Sequence, residues 1–562
     1  MRTFLLVIMF SSYLFSTPLP LFIKGNEKIS SRDLYDALGL RLPYAIEMWE
    51  NHPTLNSIAV SQSTSALTSY YRSKGYFDTK VTAEENNVSI TLNIQENDPI
   101  TVTTIQINSD FDVDSAIAFH LNELFDQEKF TASKANIKKQ YGDAGFCNAT
   151  FNSKAWIDIQ THQAHLLFEA TPNEPCTFGE IRVTSTPNID GNLAGSMLRF
   201  KEGDPYNLAA IQQSYEALYA QEAIARVIIN DNDRNGSIVP IALDIEETEK
   251  PIRFTAGLGY SSDQGFGALA GIKHRNFFGD LKTLSLDTRF TQIKKEASGI
   301  LSVPLGNRDS IHGEVGYSDE LFEGYRNESI FEKLTLKHQD RPFSALAGLL
   351  FDHAKTYESA NPEAFPNTNL FIISPFGEIN MDTRDKPLDP KKGYWINAKA
   401  QGSVRSSYSD ASYFKTLLSG AYLESMEEYV VGTRIKWGTL RTYDGQIPPS
   451  YRFYAGGMNS NRAYTYRQLG PKDLHGDPLG FNSLLEGSVE YRFPIYSPIR
   501  GVVFSDLTFG SNNYIPDYTL PYWAVGAGLR YVTPIGPIAI DFGVDPEDNS
   551  QYAIHFRVGE LF

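Results

Sequence analysis

From Pro251 to the carboxyl terminus, the sequence alternates apolar and polar residues in short stretches separated by Gly, Asn, Asp and Pro. In KTLSLDTRFTQ, for example, Leu284, Leu286 and Phe290 fall on one face of an extended chain. Successive side chains of a β-strand point to opposite faces, so each stretch predicts a strand with one apolar and one polar face. At about 20 residues per strand and connection, the 312 residues of this region hold about 16 strands.

Strands of this kind fit two architectures, a membrane barrel and a soluble sandwich. In a barrel the apolar face contacts lipid and the polar face lines the lumen, whereas a sandwich buries its apolar face against a second sheet. The chain has 31 Tyr and 35 Phe, and aromatic residues at this density are typical of the girdles of a membrane barrel. We therefore predict an all-β transmembrane barrel of about 16 antiparallel strands at residues 251–562.

The last residues of the chain support the barrel. In QYAIHFRVGELF, one face of a final strand holds Tyr552, Ile554, Phe556, Val558 and Phe562. A last strand that ends on an aromatic residue resembles the assembly signal of outer-membrane barrels. By this resemblance, Tyr552, Phe556 and Phe562 are the predicted signal residues.

The first residues resemble a secretory signal. Arg2 precedes an apolar run from Phe4 to Met9, and small and polar residues follow. The run is too short to span a bilayer, so we predict a signal peptide at residues 1–16. A buried first strand is the alternative.

Three repeats lie between the signal and the barrel. They end at Pro99, Pro175 and Pro251, which are 76 residues apart each time. Each repeat reads as a strand, two helices and two strands, and the second helix of the first two repeats ends at Gly75 and Gly145, where a left-handed residue can terminate it. The predicted modules span residues 19–99, 100–175 and 176–250.

A unit of this length and order resembles the POTRA domain, a small periplasmic α/β module. The predicted fold is therefore a series of α+β POTRA repeats followed by the barrel. The resemblance implies that exposed sheet edges accept an extra strand from a partner or substrate. Rigid spacers without a binding role are the alternative for each copy.

The stretch RFYAGGMNSNRAYTYRQLGPK combines paired glycines, an arginine and several tyrosines. It resembles the sixth extracellular loop of the BamA/TamA superfamily, which folds into the barrel lumen. The resemblance assigns Gly456 and Gly457 to the paired glycines, and Arg462 and Tyr464 to the arginine and aromatic positions. An exposed arginine in a tyrosine-rich surface loop is the alternative.

In that superfamily the arginine docks on acidic residues of neighbouring strands. The stretch GSVEYRF places Glu490 at one such position, and VVFSDLTFG places Asp506 at the other. Two residues depart from the family pattern, because Asn461 replaces an aliphatic residue and Ala463 replaces a glycine. If the family's loop needs a positive φ at Ala463, that conformation would cost about 1 kcal/mol.

Three repeats are the number found in the TamA branch of the superfamily. GLGYSSDQGFG resembles its first barrel strand, and MDTRDKPLDPKKG resembles one of its turns. The first and last strands must pair to close the barrel, and Gly257, Gly259 and Gly559 contribute no side-chain packing there. We therefore expect few hydrogen bonds across this seam. By resemblance, Gly559 also marks an inward kink of the last strand.

The resemblance implies a factor in the bacterial outer membrane that assembles outer-membrane proteins, autotransporters among them, through the seam. It also implies a TamB-like partner, anchored in the inner membrane, that binds the periplasmic modules. A polypeptide-secretion channel of the two-partner type and a general BamA-like insertase are the alternatives.

The sequence shows no motif of an enzyme, and we expect no catalytic residues, cofactor or metal. The formal net charge of −17 argues against nucleic acid as a partner. The two cysteines are Cys147 and Cys176. An oxidising periplasm permits a disulfide between them, and the sequence leaves open whether they lie close enough to form one.

Overall fold

The computed structural model describes residues 18–43, 50–306, 308–386, 389–426, 428–496, 498–533 and 536–558. Three small sheets with helices precede one closed barrel of 16 antiparallel strands. The predicted fold class, α+β modules followed by an all-β barrel, is confirmed. The predicted signal peptide lies outside the described residues.

The first module packs two helices on a four-stranded sheet in the order β2-β1-β4-β3. Its side chains with no exposure include Leu21, Leu67 and Tyr71, and the Tyr71 hydroxyl donates a 2.8 Å hydrogen bond to Glu96. Burial, followed by the nearby Glu96 carboxylate, raises the pKa of Tyr71 well above its usual range. The elements are β1 (Leu19–Lys24), α1 (Ser31–Ala37), β2 (Thr54–Leu55), α2 (Val60–Ser73), β3 (Lys80–Glu85) and β4 (Ile90–Gln95).

The second module has a three-stranded sheet in the order β5-β7-β6. The prediction of a first helix in this module is wrong, because only a 3-10 turn forms at Asp114–Ala116. The backbone becomes extended at Ile117, with φ −82° and ψ 120°, which ends the turn, and the following Phe119 is buried in the core of the module. The Ser133 hydroxyl accepts a 2.9 Å hydrogen bond from the Ala118 amide. The elements are β5 (Thr101–Ser109), α3 (Gln127–Asp143), β6 (Thr150–Asp158) and β7 (Gln163–Thr171).

The third module has two helices and a three-stranded sheet in the order β8-β10-β9. As in the other two modules, the two C-terminal strands are adjacent and follow the longer helix directly. The elements are β8 (Thr177–Thr184), α4 (Gly191–Ser196), α5 (Leu208–Tyr219), β9 (Ile224–Asn230) and β10 (Ile238–Glu247).

The same joint links the first module to the second and the second to the third. Helices α2 and α3 are each followed by a glycine with positive φ, +92° at Gly75 and +98° at Gly145. The carbonyl of each glycine accepts a hydrogen bond from the first residue of the next module, Ile100 at 2.8 Å and Cys176 at 2.9 Å. Each helix end therefore fixes where the next sheet begins.

A disulfide between Cys147 and Cys176 adds a covalent link at the second joint. Cys147 lies in the turn after α3, and Cys176 is buried immediately before β8. The Asp143 side chain, at the end of α3, accepts a 2.7 Å hydrogen bond from the Ala209 amide in the first turn of α5. The second joint therefore combines a disulfide with a helix cap.

The barrel closes in sequence order, and every strand pairs with its chain neighbour. Its strands are β11 (Ile252–Ser261), β12 (Gly265–His274), β13 (Thr283–Phe290), β14 (Lys294–Pro304), β15 (Asp309–Phe322), β16 (Tyr325–Asp340), β17 (Phe343–Tyr357), β18 (Thr368–Asp382), β19 (Gly393–Ser403), β20 (Ala411–Met426), β21 (Tyr429–Gly445), β22 (Ser483–Tyr496), β23 (Ile499–Ser511), β24 (Tyr522–Thr533), β25 (Gly536–Val544) and β26 (Tyr552–Val558).

The two faces of the barrel wall differ as the alternation predicts. On β13, Leu286 and Phe290 are 54% and 51% exposed on the outer face. On β22, Val489 is exposed, whereas the neighbouring Glu490 points to the lumen and forms ion pairs there. The outer face is therefore apolar and the inner face carries the charges. None of the helices that the structure describes has the length and apolarity needed to cross a membrane.

We predict that replacing both cysteines, Cys147→Ser with Cys176→Ser, destabilises the region around the second joint by about 3–4 kcal/mol. The bond spans 29 residues, and a closed loop of that length restricts the unfolded chain by about this amount. Hydrogen exchange of β7 and β8 amides in the full chain measures the effect. Unchanged exchange rates, relative to the oxidised native chain, would contradict the prediction.

Candidate functional site

The sixth loop, residues 446–482, connects β21 to β22 and packs against the inner wall of the barrel. Its Phe453, Ala455 and Leu469 are buried in one cluster with Ile372 and Tyr413, which lie on wall strands. Ordering a loop costs about 1–2 kcal/mol per residue in backbone entropy. The apolar cluster offsets part of that cost, and the polar contacts described below offset more of it.

The paired glycines make a turn that other residues could not make without strain. Gly456 and Gly457 have φ values of +100° and +104°. A Cβ atom on Gly456 would lie 2.5 Å from the carbonyl oxygen of Thr465. Residues with a side chain rarely adopt this conformation. At Gly456 the short distance to the Thr465 oxygen also leaves no room for a Cβ atom. The turn folds the chain back so that the Gly457 amide donates a 2.9 Å hydrogen bond to the Tyr464 carbonyl.

The structure places Arg462 against both acidic residues named from the sequence. Its Nε and Nη2 atoms each donate a 2.8 Å hydrogen bond to Asp506, and its Nη1 donates a 2.9 Å bond to Glu490. The guanidinium also lies 3.4 Å from the ring centre of Phe504. Arg462 is 2% exposed and Asp506 is 1% exposed. The two-pronged contact with Asp506 uses the planar fork that arginine has and lysine lacks.

A third carboxylate and two more arginines complete this charge cluster. Asp541 lies 3.5 Å from Arg462 and accepts two hydrogen bonds from Arg530. Arg492 donates a 2.7 Å hydrogen bond to Glu490. The cluster therefore balances three carboxylates with three guanidinium groups. The sequence analysis missed Asp541, although its position on the inward face of β25 was available from the alternation.

The two departures from the family pattern are accommodated locally. Asn461 is buried and donates a 2.9 Å hydrogen bond to the Tyr522 carbonyl. Ala463 is not among the residues with positive φ, so the expected strain does not arise. A Cβ atom on Gly543 of β25 would lie 2.2 Å from the Arg462 carbonyl oxygen. This wall glycine is what lets the loop backbone approach so closely.

Two more polar side chains anchor the sixth loop. The Tyr464 hydroxyl donates a 3.0 Å hydrogen bond to Asp545, just after β25. Arg467, which the sequence analysis missed, pairs with Glu320 of β15 at 2.6 Å and stacks on Phe322 at 4.2 Å. Strands β15 and β23 are eight places apart in the ring of 16. The two arginines therefore hold the loop to opposite walls.

The described part of the seam between β11 and β26 is short. Only two positions pair in the described residues, Tyr260 with Val558 and Ser261 with Arg557. By comparison, β11 and β12 pair at ten positions and β25 and β26 at seven. In the described residues this junction therefore has fewer ladder positions than any other of the ring, and the Ser262 amide adds a 2.8 Å hydrogen bond to the Phe556 carbonyl. The expectation of few hydrogen bonds across the whole seam stays a prediction, because residues 559–562 lie outside the described residues.

Most of the other predicted seam and signal residues lie in these two strands. Gly257 and Gly259 of β11 pair with β12, and neither faces a described residue of β26. Tyr552 and Phe556 lie in β26. Gly559 and Phe562 lie outside the described residues, so their predicted roles stay predictions.

Two family models match the chain. The Omp85 superfamily domain matches residues 253–562, and the surface antigen variable number repeat, POTRA, matches residues 21–97. The first match covers the whole barrel, and the second covers the first module.

Known proteins of two kinds resemble the chain, relatives by sequence and solved structures by fold. The outer membrane protein assembly factor BamA of Nitratidesulfovibrio vulgaris is 21% identical over 96% of this chain and 72% of its own length. The structure of BamA from Haemophilus ducreyi lacking POTRA domains 1–3 covers 82% of this chain and 99% of its own, with a TM-score of 0.60 and 18% identity. CdiB from Escherichia coli covers 89% and 96%, with a TM-score of 0.50 and 13% identity. The two structures share the fold of this chain.

We predict that Arg462→Ala and Asp506→Ala each destabilise the barrel by about 3–5 kcal/mol, because each leaves a buried charge without its partner. The double substitution should cost less than the sum of the two, since both remove the same interaction. Arg462→Lys should restore only part of the loss. Denaturant unfolding of the reconstituted barrel measures all four variants.

The matched control is Arg384→Ala, which removes the half-buried pair of Arg384 with Asp382 near the turn after β18. That pair should contribute about 1 kcal/mol or less. Strictly additive losses at Arg462 and Asp506, or a loss at Arg462 no larger than the control, would contradict the tether.

Proposed function

The chain belongs to the Omp85 superfamily, with its barrel in the outer membrane and its POTRA modules in the periplasm, and we propose that it assembles outer-membrane proteins through the seam. In this role the first and last strands separate sideways, and a client strand pairs with the exposed edge. The relative from Nitratidesulfovibrio vulgaris, an outer membrane protein assembly factor by name, supports this assignment.

The observation that carries the proposal is the small number of ladder positions in the described part of the seam. Every other junction of the barrel pairs at seven or more positions, whereas β11 and β26 pair at two in the described residues. Because a strand ladder is held by its hydrogen bonds, a junction with few paired positions costs less to open than a long one. Opening it exposes unpaired N–H and C=O groups of both terminal strands, and such an edge is a template for a new strand.

The periplasmic modules supply the second part of the proposal, a partner site. Strand β6 is an edge strand of the second module, and its Phe151 and Trp156 are 38% and 52% exposed. An exposed edge with large apolar side chains fits the addition of a strand from another chain. We propose a TamB-like, periplasm-spanning partner at these modules and autotransporters among the clients, since three modules are the TamA number. A general BamA-like insertase is the broader form of the same proposal.

A polypeptide-secretion channel is the alternative. A cavity of about 680 Å³ lies in the lumen beside the sixth loop, and Lys294, Glu296, Lys333 and Asp352 are among its lining residues. A polar lumen supports transport, but a loop held to opposite walls would have to leave first. Large, steady conductance of the purified protein in planar bilayers would favour the channel, whereas very small conductance would favour assembly through the seam.

The proposal involves no chemical reaction. The charged side chains around Arg462 are paired with one another, so they act as structural contacts. In the described part of the chain, no group of three or more His, Cys, Asp or Glu side chains could hold a metal ion.

We predict that a disulfide across the seam, from Tyr260→Cys with Val558→Cys, stops client assembly and leaves the barrel folded. These residues face each other directly in the ladder, and such pairs have Cβ atoms about 4.5–5.5 Å apart. The rate of client insertion into vesicles, with and without reductant, measures the effect. Reductant should restore activity to the locked protein.

The matched control is Ala256→Cys with Ala270→Cys, which locks β11 to β12 at an ordinary junction. This variant should assemble clients normally, as should the native chain treated with reductant, in which the Cys147–Cys176 bond is also exposed to reduction. If the seam-locked protein matches this control, clients do not use the seam.

A further inference from the structure

The sixth loop touches both sides of the seam through one carboxylate. Asp263 lies in the turn between β11 and β12, on the first-strand side. Its Oδ2 accepts a 3.0 Å hydrogen bond from the Met458 amide of the loop, and its Oδ1 lies 3.4 Å from Nδ1 of His555. His555 belongs to β26, on the last-strand side. Asp263 therefore connects three segments that are far apart in sequence.

The histidine makes a second contact with the loop. Its Nε2 lies 3.1 Å from the Arg462 carbonyl oxygen, and the ring is 1% exposed. The Gln551 side chain, just before β26, donates a 3.1 Å hydrogen bond to the Ala463 carbonyl. The residues of the loop that carry the arginine are thus bound directly to the last strand and to the residue before it.

The glycine pair of the loop makes the turn and also allows the contact with Asp263. A Cβ atom on Gly457 would lie 2.9 Å from Oδ2 of Asp263. Without a side chain there, the loop backbone can approach the turn closely enough for the Met458 amide to reach the carboxylate. Both sides of the seam therefore touch the loop at positions beside its two most distinctive features, the glycine pair and Arg462.

We propose that Asp263, His555 and the Met458 amide form a latch that holds the seam closed, so that the seam opens when the sixth loop moves. Among the described residues the backbone ladder has two paired positions at the seam, and the latch adds contacts that a displaced loop would remove together. Asp263 and His555 are positioning residues in this view. The inference rests on the proposed route through the seam, because it states what controls that route.

The test measures the seam itself, without clients. Spin labels at Ala270→Cys and Ile540→Cys sit on exposed residues of β12 and β25, on either side of the seam. The native cysteines are bonded to each other and do not take label. The distance between the labels in lipid nanodiscs gives the fraction of open seams. We expect Asp263→Ala and His555→Ala each to raise the open-to-closed ratio about tenfold, the effect of losing one hydrogen bond to a charged group.

The double substitution should open the seam no further than either single one, because one latch is lost in each case. The matched control, Lys333→Gln, removes a lumen ion pair with Glu314 between β15 and β16 and should leave the distance unchanged. An unchanged distance in Asp263→Ala, or additive effects of the two substitutions, would overturn the latch. If Asp263→Ala does not fold, Asp263→Asn replaces it in the test, because the amide keeps an acceptor for the Met458 amide but lacks the charge. A larger open fraction in Asp263→Asn supports the latch, and an unchanged open fraction refutes it.

The same variants separate the latch from the proposed function. Latch variants that open the seam while client assembly stays at the native rate would refute the route through the seam and leave the latch standing. Variants that leave the seam closed, in a protein whose locked seam still blocks assembly, would refute the latch alone.

Discussion

The fork of hydrogen bonds between Arg462 and Asp506 is the contact on which the interior of the barrel depends. A guanidinium that is 2% exposed has lost most of its hydration, and several kcal/mol of that loss must be offset by nearby carboxylates. Three carboxylates on strands β22, β23 and β25 meet this requirement, and two wall arginines, on β22 and β24, balance the excess negative charge. Once the arginine is fixed, the loop backbone around it lies against Gly543 and His555, and the loop thereby reaches the seam.

Closure of a 16-strand ring imposes the second constraint. A barrel has no free edge only if its first and last strands pair, and here that junction is short in the described residues. The contacts of the loop compensate locally, because they join the first hairpin to the last strand through side chains instead of backbone ladders. Side-chain contacts to a loop can be lost as a group when the loop moves, whereas a long ladder must be broken residue by residue. The seam is therefore held by two kinds of contact, its backbone ladder and the side chains that bind the sixth loop.

The sequence was enough to predict the barrel, its strand number and three modules, because alternation and repeat length are local properties of the chain. It also named the partners of Arg462, since resemblance to a known loop supplied a pairing that no local pattern contains. The sequence did not reveal the roles of Arg467, Asp263 and His555, because those roles depend on the path of the sixth loop across the lumen. The absence of a first helix in the second module was not predicted, because the backbone becomes extended at Ile117 after a single turn. Apolar periodicity does not show where a helical stretch stops so early.

A carbonyl contact after the last helix is common to the three repeats. In the first two modules a helix ends at a left-handed glycine, and the carbonyl of that glycine receives the first amide of the next module. The third repeat has Ala223 at the matching place, and its carbonyl still accepts a 2.8 Å hydrogen bond from the Thr248 amide. The positive φ is therefore dispensable, because the Ala223 carbonyl accepts an amide without it. The donating amide lies 25 residues after Gly75 and Ala223 and 31 residues after Gly145, so the carbonyl contact recurs whereas the length of chain that it closes does not. What the repeats share is the way a helix end receives a later backbone amide, and this contact tolerates modules of different length.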